Sequence, residues 1–386
     1  MVSLPYCGWG NVSDSVRVSL LTCAPGSEIY SLFGHTALRY ENLAKGEDWV
    51  FNYGLFSFDT PNFVYRFVKG ETDYQLGVIP YRYFEGEYAM RESSVYQQEL
   101  NLTDKEKENV IRLLRENYLP ANRVYRYNYF YDNCTTRARD KVEQGIEGKV
   151  VYPESEKMCS FRSIVREYTA GHEWSAFGID LCLGSEAEEP IDERKQMFSP
   201  FYMLEYARGA MIHRADTIVP FVKEEKLLLD FSSKDEGVFE KDEDISLPSP
   251  WACALIWWVL TFVVTALGIK NGKVYWLWDI LLFGAQGLAG CIIAFLFFFS
   301  IHPTVGSNWL LMILNPLPLL YMPFMIYKAI KGKTDVFHVI NTMVLLLFII
   351  LMPIVQQKFN VTVLPLALNL LTCSVGHLII YNRRKK

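Results

Sequence analysis

The sequence predicts an α+β globular head followed by an all-α bundle of five transmembrane helices. Three observations predict it. Five long apolar segments follow one another at 251–269, 274–301, 309–327, 336–355 and 361–381, each near or above the ~20 residues that cross a hydrocarbon core. Ten of the 38 Lys and Arg but only two of the 43 Asp and Glu follow Pro250, so that part carries +8 and the part before it −13. Before Pro250 the apolar residues instead come in short strand-like runs and one well-marked helix. A soluble core could bury one or two long apolar helices, but five in succession would leave it no amphipathic covering.

Element by element, "VRVSLLTCAPG" from Val16 reads as a strand closed by Pro25-Gly26, and "HTALRY" from His35 and "WVFNYGLF" from Trp49 as a hairpin around "ENLAKGED". In "TDKEKENVIRLLRENY", Thr103 and Glu106 form a capping box, Val110, Leu113 and Leu114 share a face, and Pro120 stops the helix. A second helix begins at Asn133 or Cys134 and runs to Gly145. The stretch 221–250 mixes nine acids with four bases and ends in Pro-Ser-Pro, as a linker would or a late strand followed by a charged turn. The resulting division is a head at 1–220, a charged tether at 221–250 and a membrane domain at 251–386.

The loop charges orient the bundle. Lys270 and Lys273, then Lys328, Lys331 and Lys333, then Arg383 to Lys386 lie on one side, whereas the other two loops, "HPTVGSN" and "QQKFN", hold one lysine. The positive-inside rule places the basic side and the C-terminus in the cytoplasm and residues 1–250 outside it, in the periplasm of a bacterium. The opening "MVSLPYCGWG" has neither a basic start nor a long apolar stretch, which reads as a mature or trimmed chain. An exported head would permit disulfides among Cys7, Cys23, Cys159 and Cys182. Its acidic balance, without a clustered Lys/Arg footprint, argues against a nucleic-acid partner.

The chemistry-bearing stretch is "YFYDNCTTRARD" at 129–140. A cysteine heading a helix meets unpaired N–H groups and the positive end of the macrodipole, which favour its thiolate; the same donors could later hold an oxyanion. Cysteine is also among the residues most often simply buried, so Cys134 needs a base. Of six histidines, His35 stands at a strand start after Gly34, where the backbone can approach closely. A hairpin turning near Leu43 or Ala44 would set position 35 opposite Asn52, whose amide oxygen could orient the ring; Asp59 is the reserve. Tyr129 and Tyr131 belong to an aromatic run that could wall a lipid groove or pack as strand residues. Arg126, Arg137 and Arg139 could receive a phosphate or form surface ion pairs. His302, Asn308 and Asn315 sit at the outer end of spans two and three, as headgroup ligands or as turn caps, and Pro316, Pro318 and Pro323 should interrupt span three. With no CxxC pair, HExxH, phosphate loop or dinucleotide fingerprint, no cofactor or metal is expected.

"FGHTALRY" followed by "YDNCTTRARD" resembles the circularly permuted papain-like thiol enzymes of NlpC/P60 type over residues 16–145. With the membrane segment "HPTVGSNWLLMILNPLP", nearly the whole chain resembles the Lnb-type lipoprotein N-acyltransferases, whose head is the DUF4105 family. That resemblance implies a permuted papain-like head in the periplasm on an inner-membrane anchor. It implies transfer of an acyl chain from a phospholipid, through a thioester on Cys134 with His35 as base, to the α-amino group of a diacylglyceryl-cysteine lipoprotein. The alternatives are a membrane-anchored cysteine amidase, peptidase or phospholipase of NlpC/P60 type, and a non-catalytic envelope binding module.

Overall fold

The head's alternating runs assemble, in a computed structural model, into a seven-stranded antiparallel sheet of order β12-β5-β1-β2-β3-β4-β6. The structure describes residues 15–26, 28, 31–59, 61–155, 157–231 and 247–385. The strands are β1 Val16–Cys23, β2 His35–Asn42, β3 Glu47–Leu55, β4 Asp73–Pro80, β5 Val95–Leu100, β6 Val124–Arg126 and β12 Val222–Leu229. A small sheet joins β7 Lys149–Val151 to β10 Met211–His213 and β11 Ile218–Pro220, and β8 Cys159–Ser160 pairs with β9 Pro190–Ile191. The helices of the first 220 residues are α1 Phe63–Lys69, α2 Tyr81–Met90, α3 Asp104–Tyr118, α4 Cys134–Gly145, α5 Phe161–Tyr168, α6 Glu173–Cys182, α7 Glu193–Gln196 and α8 Pro200–Gly209.

Both faces of the sheet are covered, which is why β1 reads as an almost unbroken apolar run. Val18, Leu20, Leu38, Tyr40, Phe51 and Tyr53 pack on one side with Val110 and Leu114 of α3 and Ala138 and Val142 of α4. Leu21, Cys23, Ala37 and Val50 pack on the other with Tyr81, Phe84 and Tyr88 of α2. The expected capping box starts α3: Thr103 Oγ1 accepts from Glu106 N at 3.3 Å and Glu106 Oε2 from Thr103 N at 2.8 Å. Its buried face is Val110, Ile111 and Leu114, with Leu113 only half-buried.

Two compact units divide the chain. One takes in the described residues of Met1–Phe67, Glu71–Cys159 and Ile191–Lys241; the other, those of Val68–Gly70, Ser160–Pro190 and Asp242–Lys386. The boundary thus departs from a head of 1–220, because α5, α6 and the turn after them group with the membrane helices. Long-range hydrogen bonds account for this. Gly184 N donates to Thr304 O at 2.7 Å and Gln357 Nε2 to Leu183 O at 3.2 Å. Inside the excursion the fully buried Arg162 donates to Asp180 Oδ1 at 2.5 Å and to the Leu183 and Gly184 carbonyls, and pairs with Glu188 at 2.6 Å. The first part of the tether is sheet: β12 pairs with β5, aided by Lys223 on Glu99 at 3.0 Å. The rest of its charged stretch, 232–246, lies outside the described residues.

In the second unit, α9 Pro250–Asn271, α10 Trp276–Phe299 and α13 Val363–Lys385 are joined by α11 Leu317–Ile330 and α12 Val336–Leu351. Among the described residues, four segments are long and apolar enough to cross a membrane; the fifth expected helix, α12, has 16 residues. Span three is broken as expected, but only ahead of Pro316: a 3₁₀ turn at Trp309–Met312 precedes α11, which starts after Pro316, takes Pro318 in its first turn and continues through Pro323. Gln286 of α10 donates to Ile313 O at 2.6 Å, satisfying a carbonyl freed at the break. Cys23, Cys159 and Cys182 are free thiols rather than disulfide partners, and Cys7 lies outside the described residues.

Candidate active site

Cys134 is the first residue of α4, and the sequence around it builds the helix start. Asn133 is the N-cap: its Oδ1 accepts from Thr135 N and Thr136 N, both at 2.9 Å, and Thr136 Oγ1 returns a bond to Asn133 N at 2.8 Å. The Asn133 amide also donates to the Tyr129 and Phe198 carbonyls at 2.8 and 2.9 Å, fixing the cap from behind. Since Thr135 and Thr136 give their N–H groups to the cap, the backbone donor at the Cys134 sulfur comes from a strand instead, as Thr36 N–H of β2.

Next to Thr36 stands His35. The preceding Gly34 has φ +74°, and a Cβ there would lie 2.5 Å from the Cys23 carbonyl, so glycine is required for the turn into β2. His35 Nε2 lies 2.6 Å from Asn52 Oδ1. The amide oxygen only accepts, so Nε2 carries the proton and Nδ1 is left for the thiol, with which His35 is hydrogen-bonded. The three groups form one series: thiol, imidazole, amide oxygen.

Asn52 reaches the ring from a different register than a turn at Leu43 or Ala44 implies. Leu38 faces Phe51 and Asn42 faces Glu47, leaving a four-residue turn over 43–46. Continued, that register sets position 35 across from Gly54, not Asn52. Gly54, at φ +92°, has no side chain, and a Cβ built there would stand 3.8 Å from both Cys134 Cβ and His35 Cε1. The ring lies at ordinary contact distance from where a Cβ would stand and meets Asn52 diagonally, two residues along the same side of β3. Asp59 is exposed in the turn after β3, where its N–H donates to Ser57 Oγ.

Burial alone would raise the Cys134 thiol above its ordinary value of 9.0. The charge of His35, its hydrogen bond and those of Thr36 N–H and the Thr135 hydroxyl outweigh burial and bring the thiol down to about 7. Burial likewise lowers His35, but the Cys134 thiolate and the Asn52 bond together leave it above 6.5. Each shift favours the charged partner, thiolate beside imidazolium, which is the arrangement that thiol nucleophilic chemistry uses. Cys23 differs: burial pushes its thiol far up, and it stays neutral.

An aromatic series borders the thiol. Tyr127 and Cys134 pack on the same core cluster, and Tyr127 stacks on Tyr74 at 4.1 Å. Tyr74 stacks on Phe56 at 4.8 Å, Phe56 on Phe63 at 5.8 Å, and Phe63 on Phe67 at 6.0 Å. Around its outer end Phe58 is 67% and Val64 73% exposed, and α1 buries no residue. Thr36, Gly54, Tyr74 and Phe56 did not stand out in the sequence. The one available signal was the position of Thr36 beside His35.

The remaining candidates are placed as follows. Arg137 grips Asp132 with two bonds, 2.6 and 2.7 Å, and lies 3.6 Å over the Tyr125 ring. Arg126 is exposed and bonds Asp73 at 2.7 Å. Arg139 is buried, held by Asp140 and the Arg194 carbonyl. All three are thus engaged in ion pairs. Tyr129 sits in a ring cluster with Phe33 and Phe198, whereas Tyr131 is exposed. His302, Asn308 and Asn315 belong to the second unit. Asn308 is buried, donating to Leu181 O at 2.7 Å and accepting from Leu310 N and Gln357 Nε2, both at 3.0 Å. Asn315 accepts from Leu317 N and donates to Met312 O, both at 3.2 Å, and His302 is half-buried with its N–H on Ser300 Oγ. Asn315 thus serves its own turn, whereas Asn308 also ties its turn to the distant Leu181 and Gln357.

Residues 11–167 match the family model of the Lnb N-terminal periplasmic domain, and residues 241–385 match that of the Lnb transmembrane domain. The chain belongs to the Lnb family of lipoprotein N-acyltransferases. No curated protein and no solved structure matches it. Family membership makes it a multi-pass inner-membrane protein with a periplasmic N-terminal domain, and the Cys134, His35 and Asn52 series lies wholly within the matched Lnb periplasmic domain. Lipid and lipoprotein partners are consistent with that membership.

Proposed function

We propose that the chain moves an acyl chain from a phospholipid to the α-amino group of a diacylglyceryl-cysteine lipoprotein, with Cys134 as the covalent carrier. The observation that carries this reading is the activated pair: a thiol lowered to about 7 beside an imidazole held above 6.5 and oriented by Asn52 at 2.6 Å, inside an Lnb periplasmic domain. The Cys134 thiolate attacks the ester carbonyl, forming a C–S bond and a tetrahedral oxyanion. Collapse breaks the ester C–O bond, and the departing lysophospholipid oxygen takes the proton from His35. The lipoprotein amine then attacks the thioester and gives its proton to the now neutral His35. Collapse breaks the C–S bond, releases the N-acylated product and restores the thiolate–imidazolium pair.

The aromatic series from Tyr127 to Phe67 supports an acyl-chain site, because it offers a continuous apolar wall from the thiol to an exposed apolar rim. We also infer that α12 crosses the membrane as the fifth span. Only then do Lys270 and Lys273, Lys328 to Lys333 and the final basic cluster share one side, which the positive-inside rule makes cytoplasmic. At ~1.5 Å per residue the helix spans roughly 24 Å, short of a ~30 Å core, so flanking residues or local thinning make up the rest.

The deciding experiment incubates the purified chain in phospholipid vesicles with a synthetic diacylated lipopeptide. Triacylated lipopeptide by mass spectrometry, with a transient acyl mass on the Cys134 peptide, is the expected result. Release of free fatty acid at one rate with or without the lipopeptide would make the protein a hydrolase and end this reading.

A further inference from the structure

A second group of reactive side chains lies inside the membrane unit, away from anything the acyl transfer uses. Asp279 is on α10; Cys373 and His377 are on α13, four residues apart and so on one face of that helix. All three are buried, and their ligand-capable atoms lie within 4.8 Å of one another. His377 Nε2 is 3.0 Å from Asp279 Oδ2, and Cys373 Sγ donates to Asp279 Oδ1 at 3.2 Å. The arrangement is not a nucleophile with a base, because thiol and imidazole both converge on the carboxylate instead of bonding in series.

Convergence of one sulfur, one nitrogen and one oxygen donor is what a metal ion asks for. A buried carboxylate among apolar helices needs a positive charge, and the nearest groups, an imidazole and a thiol, do not carry a fixed one. Polar atoms there also lack partners: among the described residues, His377 Nδ1 and the Nε2 of His338, whose ring stacks on His377 at 3.7 Å, are buried without a hydrogen bond. A cavity opens beside the three, lined by Thr265, Gly268, Trp278 and Gly376 and reaching Lys273 in the loop after α9. It gives an ion an entry and a place for a fourth, solvent ligand.

We propose that Asp279, Cys373 and His377 bind a divalent transition metal, zinc by ligand type, with a water in the cavity as fourth ligand. Tetrahedral zinc with bonds of ~2.0–2.3 Å separates its ligand atoms by about 3.3–3.6 Å. The 3.0 Å contact ends on Asp279 Oδ2 and the 3.2 Å contact on Oδ1, with all three ligand atoms within 4.8 Å of one another, so a turn of the carboxylate and small side-chain shifts bring one oxygen, the sulfur and the nitrogen to that spacing. Binding displaces the Cys373 proton to solvent and replaces the S–H bond with a metal–thiolate bond. The ion then ties α10 to α13 and neutralises Asp279.

The test uses the full chain in detergent with Cys134→Ser, to remove the active-site thiol, stripped with a chelator and titrated with Co²⁺. One equivalent of Co²⁺ should give the near-ultraviolet thiolate charge-transfer band and the visible bands of a four-coordinate ion, both bleached by Zn²⁺, and Zn²⁺ should raise the thermal midpoint. Adding Cys373→Ser should abolish the charge-transfer band and weaken binding at least about tenfold. His377→Gln, which keeps the thiol, should weaken it similarly. Absence of the charge-transfer band before Cys373 is changed, or its persistence after, would overturn the proposal and leave the three as a hydrogen-bonded helix contact.

Discussion

At the head of α4, Cys134 bonds His35, which bonds Asn52; on α13, Cys373 and His377 both bond Asp279. The two sites draw on nearly the same residue types and differ in the order of connection. In series, each group changes the next: Asn52 fixes the ring, the ring carries a proton, and the proton holds the thiolate. In convergence, every group points at one centre, which suits an ion and gives the thiol no base. Their placement differs as well. The series stands where strand ends meet a helix N-terminus and is half-buried; the converging set is buried among apolar helices. Composition alone would not have separated them.

The largest effect that could break the comparison is loss of the Cys134 thiol, the proposed acyl carrier. Cys134→Ser should reduce lipopeptide acylation by at least about 10³-fold and remove the acyl mass from that peptide. Alkylation sharpens the contrast. With iodoacetamide at pH 7.5 the folded chain should label at Cys134 while Cys23 and Cys373, both buried, stay unlabelled by peptide mapping. Equal labelling of Cys373 would remove the distinction in access.

His35 comes next, because it separates position from charge. His35→Gln should cost about 10² to 10⁴ in turnover. The pH dependence tells more. The lowered thiol is a thiolate above about pH 7 and loses reactivity as the pH falls below it. Without the imidazolium, burial still raises the thiol, so the alkylation curve should move up toward or past 9.0 and the rate at pH 7 fall roughly ten- to hundredfold. An unmoved curve would mean that the Thr36 N–H and the Thr135 hydroxyl, and not the relay, set the thiolate.

How much of this was legible in the sequence follows the range of each interaction. The α4 start, the capping box on α3 and the glycine before His35 are written within four residues of one another, and each formed as expected. Asn52 was reached by a register two residues out, because a four-residue turn was read as a tighter one and the residue opposite His35 is a glycine with nothing to block the diagonal. Of the arginines, Arg137 and Arg139 pair with Asp132 and Asp140, within five positions, as one of the two readings allowed, whereas the partner of Arg126 could not be read, since Asp73 lies 53 positions away. The excursion of 160–190 into the membrane unit was hidden for the same reason: Gly184 is bonded to Thr304, and Asn308 to Leu181, across 127 positions. The converging set joins α10 to α13 across 94 positions from Asp279 to Cys373, and each of its members looked like an isolated polar residue in an apolar segment.

Gly54 provides a subtler test. Its φ of +92° lies where side chains are strained, while the space around it offers only ordinary contact at 3.8 Å to Cys134 and His35. Gly54→Ala should therefore destabilise the head by about 1–3 kcal/mol, read by denaturant unfolding, and slow acylation through a displaced ring. The activity loss should exceed what the unfolded fraction explains. A loss matching that fraction would make Gly54 a backbone requirement only, with no part in shaping the relay.

The smallest expected effect concerns the exposed basic groups. Arg126 shares Asp73 with Arg66; burial opposes ionisation of that carboxyl, but the hydrogen bonds and charges of the two guanidinium groups together outweigh it and pull the carboxyl below its usual value. Such an exposed pair contributes under about 1 kcal/mol, so Arg126→Gln should change the unfolding midpoint little. If the pair is only structural, the apparent KM should be the same for vesicles of anionic and of zwitterionic phospholipid in the variant and in the parent. A KM rise confined to anionic lipid would instead show that Arg126 leaves Asp73 for a phosphate during turnover. Asp73→Asn then distinguishes the two accounts, since freeing Arg126 should lower KM for anionic lipid under the second and leave it unmoved under the first.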